Sequence, residues 1–151
     1  MPTTSTAQNA CVASAWLDTL AGVATDVSGS MSQIRANLVN ALGEYLVFQD
    51  CCTQRLECGK DATVTLNVLF TSAANEGWDI LKKWYFNGGC KPGLRTFSWY
   101  LPDKNVGSDF FTGEFLLESL DFDANRATPG PMPVTAVLRP HGCITHSTAA
   151  T

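Results

Sequence analysis

The residues best placed to do chemistry in this 151-residue chain are an aspartate and two serines spaced two apart, Asp26-Val27-Ser28-Gly29-Ser30. A carboxylate and two hydroxyls are hard oxygen ligands of the kind that hold Mg²⁺. Asp26, Ser28 and Ser30 could therefore form a magnesium-binding site. Four acids make a second candidate. Glu114 and Glu118 fall on one face of an extended segment, and Asp121 and Asp123 fall on the other by parity. Paired carboxylates can divide acid–base work. On an alternating strand the same residues form a solvated acidic stripe.

Other catalytic templates are missing. The chain has no G-x-S-x-G, no phosphate-binding loop and no H-E-x-x-H. Cys51-Cys52 followed by Cys58 lacks the paired C-x2-C spacing of a structural zinc site, and His141 and His146 lie far away in sequence. No metal or cofactor is expected, and the chain does not read as an enzyme. The D-x-S-x-S pattern is similar to the metal-ion-dependent adhesion site of von Willebrand A-type domains. In that family it follows a strongly apolar parallel strand and opens a helix in an alternating α/β domain. Here Leu20–Thr25 is only moderately apolar and one helix is signalled downstream. The plainer expectation is a strand whose polar side faces solvent or a neighbour.

Composition narrows the class further. Hydrophobic residues make up 45% and charged residues 16%, a charge content that leaves surface free for self-association. Ten basic against fourteen acidic residues give a net charge of −4, without a Lys/Arg cluster to grip phosphate, so high-affinity nucleic-acid binding is not expected. Residues 1–10 lack the basic start and apolar core of a signal peptide, and no run approaches the ~18 apolar residues that cross a bilayer. The chain reads as cytoplasmically made, with thiols reduced. It reads as one domain, 1–151, with small polar ends at 1–10 and 145–151 that are frayed tails or arms ordering against a neighbour.

The elements that must position these residues centre on Asp61–Tyr100. Ala62, Val64, Leu66, Val68 and Phe70 alternate with polar residues, predicting a strand with one buried face. From Ala74 the period becomes helical, with Trp78, Leu81, Trp84 and Tyr85 anchoring the helix to the sheet and Lys82 and Lys83 outside; Ser72 is the expected N-cap. Around this core, Val23–Val39 reads as one long strand or two, Asn40–Gly43 as a turn and Glu44–Gln49 as a short strand. Cys51–Gly59 reads as a loop. Leu94–Leu101, Phe110–Phe122 and Val134–Arg139 are further strands, and 127–133 is a proline-rich connection. Residues 11–22 stay open between a short helix and an irregular connection.

Taken in order, these features resemble the tail tube (major tail) proteins of long-tailed bacteriophages. The resemblance spans about 25–145: Asp26-Val-Ser-Gly-Ser, Gly43-Glu44, Gly59-Lys60, Trp78 with Trp84-Tyr85, Tyr100-Leu-Pro-Asp103, Gly107, Gly113-Glu114-Phe-Leu-Leu-Glu-Ser-Leu120 and a last strand ending at Gly142. The Cys51-Cys52 pair, Cys58 and the Pro-Gly-Pro-Met insert depart from it. It implies a mainly β fold, an antiparallel β-sandwich or barrel-like tail tube fold with one flanking α-helix. It also implies a virion protein, made in the host cytoplasm, that assembles into hexameric rings stacked as a hollow tail tube. DNA would pass through without specific binding. Partners would be further copies of the chain and other tail proteins, namely the tape measure, the terminator and the baseplate or tip, with no membrane anchor.

Under this resemblance, strands from Val23–Leu38 and from Phe110–Phe122 or Val134–Arg139 are expected to line the lumen, with Glu114, Glu118, Asp121 and Asp123 as acidic surface or lumen. The terminal arms and the loop carrying Cys51, Cys52, Arg55 and Cys58 are expected to contact the next ring. A tail terminator or other single-ring component is the alternative within the virion.

Overall fold

The computed structural model describes residues 13–47, 50–87, 93–105, 107–124, 126–127 and 129–150, the side chains of 45–53 and 58 excepted. Eight strands and one helix are present among them: β1 (Ser14–Asp18), β2 (Ala24–Asp26), β3 (Met31–Val47), β4 (Asp50–Leu69), α1 (Gly77–Asn87), β5 (Arg95–Leu101), β6 (Asp109–Phe122), β7 (Pro133–Pro140) and β8 (Thr145–Thr148). All pairings are antiparallel, in the order β2-β1-β5-β6-β7-β4-β3, with β8 also on β6.

β6 joins the two halves of this sheet. Its residues Asp109–Phe115 pair with β5 along one edge, and Phe115–Phe122 pair with β7 along the other. Phe115 is paired on both sides and fully buried. β8 continues the line of β7 along Asp109–Thr112. The sheet coils about this strand, so that inner residues of both halves share one core: Ala15 and Leu17, Val64, Leu66 and Val68, Phe97 and Trp99, and Val134, Ala136 and Leu138. Each comes from an alternating run, the pattern expected when one strand face packs on the core. The fold is mainly antiparallel β with one flanking helix.

α1 closes one end of the coil, touching β4, β6 and β1. Eleven residues form a helix that is marginal in isolation. Burial of Trp78, Ile80, Leu81 and Trp84, about 1.5–3 kcal/mol for each large apolar side chain, is what holds it. Trp78 sits between Phe70 and Phe122, at ring-centroid distances of 5.0 and 5.3 Å. Trp84 Nε1 donates to the Gly93 carbonyl at 2.7 Å. Beneath the helix, the buried Arg95 guanidinium donates to the carbonyls of Ile80 (3.2 Å) and Asp18 (3.3 Å) and lies over the Trp84 ring. Tyr85 is a correction: its ring is 59% exposed, and Ile80 occupies the core position expected for it.

Several boundaries differ from the sequence reading. The helix starts at Gly77, since Asn75 has φ +60° and its N–H is taken by the Asp79 carboxylate at 3.0 Å, leaving Ser72 outside the cap. Residues 14–18 form a strand paired with β5 on one side and with the short edge strand β2 on the other. Val23–Val39 divides into β2 and β3 around a 3-10 turn at Ser28–Ser30. The largest change is at 40–59, where neither the turn nor the loop exists: Asn40 faces Lys60 and Gly43 faces Leu56 in one continuous hairpin. The C-terminal Thr145–Thr148, expected as tail or arm, pairs with β6 of its own chain.

Candidate assembly surfaces

The Asp26-Val-Ser-Gly-Ser segment works as an internal clamp. Asp26 Oδ1 accepts from the Ser28 N–H at 2.9 Å and from Ser28 Oγ at 2.5 Å, while Ser28 Oγ accepts from the Ala15 N–H at 2.9 Å. Ser30 is buried on the other side of the turn, where its hydroxyl donates to the Val27 carbonyl at 3.2 Å and accepts from the Gly77 N–H at 3.0 Å. The three side chains that could have met at a cation are thus engaged with different parts of the chain. Gly77 is needed for this approach, because a Cβ there would lie 2.7 Å from Val68 Cγ1 and 3.0 Å from Ser30 Oγ. Among the described residues no group of three or more His, Cys, Asp or Glu is arranged to hold a metal ion.

A second surface is the outer face of β3, β4, β7 and the end of β6. Register places Gln33, Arg35 and Asn37, then Asp61, Thr63, Thr65 and Asn67, then Thr135 and Arg139, opposite the core side. Asn67 faces both Gln33 and Thr135. Its amide donates to Gln33 Oε1 at 2.7 Å and its carbonyl oxygen accepts from Thr135 Oγ1 at 3.1 Å, a neutral hydrogen-bonded strip over three strands. Arg139 donates to Glu118 Oε2 at 2.8 Å and Asp61 Oδ2 at 3.5 Å, and its pKa is raised, chiefly by the Glu118 hydrogen bond.

The four predicted acids are all exposed, but their faces differ from simple parity. Glu114 lies outside, accepting from Thr96 Oγ1 at 2.6 Å. A β-bulge between Leu117 and Ser119 inserts Glu118 and reverses the alternation beyond it. Asp121 therefore faces Thr135 on the outer surface with Glu114 and Glu118, whereas Asp123 lies past the strand end.

The third surface is a ribbon. β7 covers β4 only from Val64 to Leu69, so the remainder of the β3–β4 hairpin runs out beyond the body as two strands. Leu38 and Leu42 are 60% and 56% exposed on it. Glu44 and Arg55 form a cross-strand ion pair at 2.9 Å. Cys51, Cys52 and Cys58 fall in β4, and their side chains lie outside the described residues. An isolated two-stranded hairpin is marginal in water, so a ribbon this long suits a surface that another molecule covers. No helix among the described residues is long and apolar enough to cross a membrane.

Solved structures from tail assemblies share this curved antiparallel sheet with its single helix and resemble the chain over most of its length. A chain from the tail of an empty gene transfer agent particle, refined helically with C6 symmetry, matches with a TM-score of 0.72 at 16% identity, covering 93% of this chain and 99% of that one. The SPP1 tail tube matches with a TM-score of 0.71 at 12% identity, covering 94% and 80%. A chain of the anti-feeding prophage baseplate, 6-fold symmetrised, matches with a TM-score of 0.72 at 9% identity over 100% of both chains. The TM-scores establish a shared fold. No protein-family model matches the chain, and no curated protein sequence does so significantly.

Proposed function

We propose that this chain is a structural subunit of a phage-type tail tube: copies close into rings, expected to be hexameric, and the rings stack into a hollow conduit for DNA in the virion tail. The observation that carries this is the match to the gene transfer agent tail chain, which covers 93% of this chain and 99% of that one with a TM-score of 0.72. The polar outer face supports the conduit. Its strip of Gln33, Asn67 and Thr135 has its hydrogen bonds satisfied within the wall, its Arg139 is paired with Glu118 and Asp61, and Arg35 is left, among the described residues, as an isolated cation on it rather than part of a basic cluster. DNA would slide past such a wall without being trapped. We assign this face, made by β3, β4, β7 and the end of β6, to the lumen, with Glu118 and Asp121 on it. The ribbon and the arm at 1–10, which lies outside the described residues, are assigned to ring-to-ring contacts, and the ends of the tube to other tail proteins.

Purified protein examined by negative-stain electron microscopy tests the assignment. Long hollow tubes are expected. The match to a baseplate chain over its full length favours one second reading, a component that forms a single ring and stops. Isolated rings would select that alternative, and a monomer at every concentration would reject both.

A further inference from the structure

We propose that copies of this chain stack end to end by placing the Tyr85–Phe86 ring pair of one copy in the groove at the root of the next copy's ribbon. This rests on the tube assignment above and names the residues that would make its axial contact.

The groove is bounded by Leu38, Ala62, Phe111, Pro140, Ile144 and His146 and offers about 210 Å³. Ligand sites typically hold roughly 300–1,000 Å³, so it fits a side chain better than a metabolite. Leu38 forms one wall at 60% exposure and Leu42 extends the apolar surface along the ribbon. On α1, Tyr85 and Phe86 are 59% and 64% exposed and packed edge to face at 4.9 Å. A rigid exposed aromatic pair is the kind of anchor that dominates protein interfaces when it enters a desolvated pocket.

The groove and the first turn of α1 occupy opposite ends of the same strands, and the ring pair lies about two turns further along the helix. β6 passes the groove at Phe111 and reaches the helix at Phe122, and β4 passes it at Lys60–Ala62 and ends against Gly77 at Val68. Eleven residues of β6 at about 3.3 Å each separate the ends by up to roughly 35 Å. A contact between different patches at opposite ends is heterologous, and repeated by translation with rotation it gives an open stack.

Charge and size agree with a second copy as the occupant. At the groove Asp61 and Asp109, the latter paired with the lining His146, outnumber Lys60 by one, whereas beside the ring pair Lys82 and Lys83 outnumber Asp79 by one. The groove is sized for side chains, and the paired segments Leu38–Glu44 and Arg55–Asp61 of the ribbon extend the surface beside it.

The test places the photo-crosslinker p-benzoylphenylalanine at position 86, irradiates the assembled protein and maps the adducts by mass spectrometry. Adducts on Leu38, Phe111 or Ile144 of a second copy are expected, and adducts confined to other surfaces would overturn the proposal. In parallel, Phe86→Glu, with its melting temperature unchanged, should raise the concentration needed for tubes by about tenfold while rings persist. Adding Leu38→Lys to it should bring that concentration back to within about threefold of wild type. Tubes formed by Phe86→Glu as readily as by wild type would overturn the contact and leave the tube assignment standing. Absence of tubes from the wild-type chain would overturn the assignment itself.

Discussion

Ser30 Oγ accepts a hydrogen bond from the Gly77 N–H at 3.0 Å, so a residue 47 positions upstream caps the only helix among the described residues. The first N–H groups of a helix have no partner within it, and this one is buried. Ser30→Ala is expected to cost about 0.5–2 kcal/mol, the range for losing a cap. Gly77→Ala should cost about 1–3 kcal/mol by overpacking, because its Cβ would meet Val68 at 2.7 Å. Urea unfolding followed by tryptophan fluorescence measures both, and a neutral Gly77→Ala would contradict the packing described here.

Asp26 binds the chain to itself. Millimolar Mg²⁺ is therefore expected to leave the melting temperature unchanged, and Asp26→Ala to lower stability by about 1 kcal/mol with or without the ion, through loss of the Ser28 hydrogen bonds. Calorimetric scans with and without Mg²⁺ decide this. A Mg²⁺-dependent stabilisation abolished by Asp26→Ala would restore the adhesion-type site.

Acid should loosen the helix through Asp79. Its carboxylate is held below the usual range, first by the Lys83 hydrogen bond and then by the Asn75 N–H. A depressed folded pKa means the contribution is complete above the unfolded value of about 3.9 and is lost as pH falls through the folded one. Asp79→Asn should therefore be less stable than wild type at pH 7, with the gap closing below about pH 4. Melting temperatures of the two proteins across that interval test the sign.

The ribbon should be dispensable for folding and required for assembly. Replacing residues 41–59 by a two-residue Asn-Gly turn between the paired Asn40 and Lys60 removes no residue of the hydrophobic core. The shortened chain is expected to melt cooperatively near the wild-type temperature and to form no tubes in the electron microscope. Tubes of normal length would show that the ribbon plays no part in assembly.

Much of the body was legible in the sequence, for a physical reason. β4 from Ala62 to Val68, β5 and β7 each place one face on the core, and that requirement writes an alternating pattern. The ribbon has no core beneath it, so 40–43 and 51–59 carry no such pattern and read as turn and loop on either side of the short strand read at 44–49. Thr145–Thr148 is exposed at every residue and is held by its backbone ladder together with His146 on Asp109, and neither leaves an alternating apolar pattern to read. Asp121 was placed on the wrong face because a single bulge residue, Glu118, reverses parity. Tyr85 fits the helical stripe as well as Ile80 does, and only the direction from which the sheet approaches separates them. Among the surfaces, the acids were visible as exposed charge. The hydroxyl of Ser30 was visible as chemistry, but its long-range partner was not.

β6 runs from the ribbon end of the molecule to the helix end and takes β5 on one edge and β7 and β8 on the other. A pull applied between those ends would act along the strand, loading its flanking hydrogen bonds together in shear, where peeling would break them one at a time. In a stack of copies joined end to end, covalent backbone would carry tension through each subunit and only the contacts between subunits would yield. The joint, and not the subunit, would then set the breaking strength of the filament.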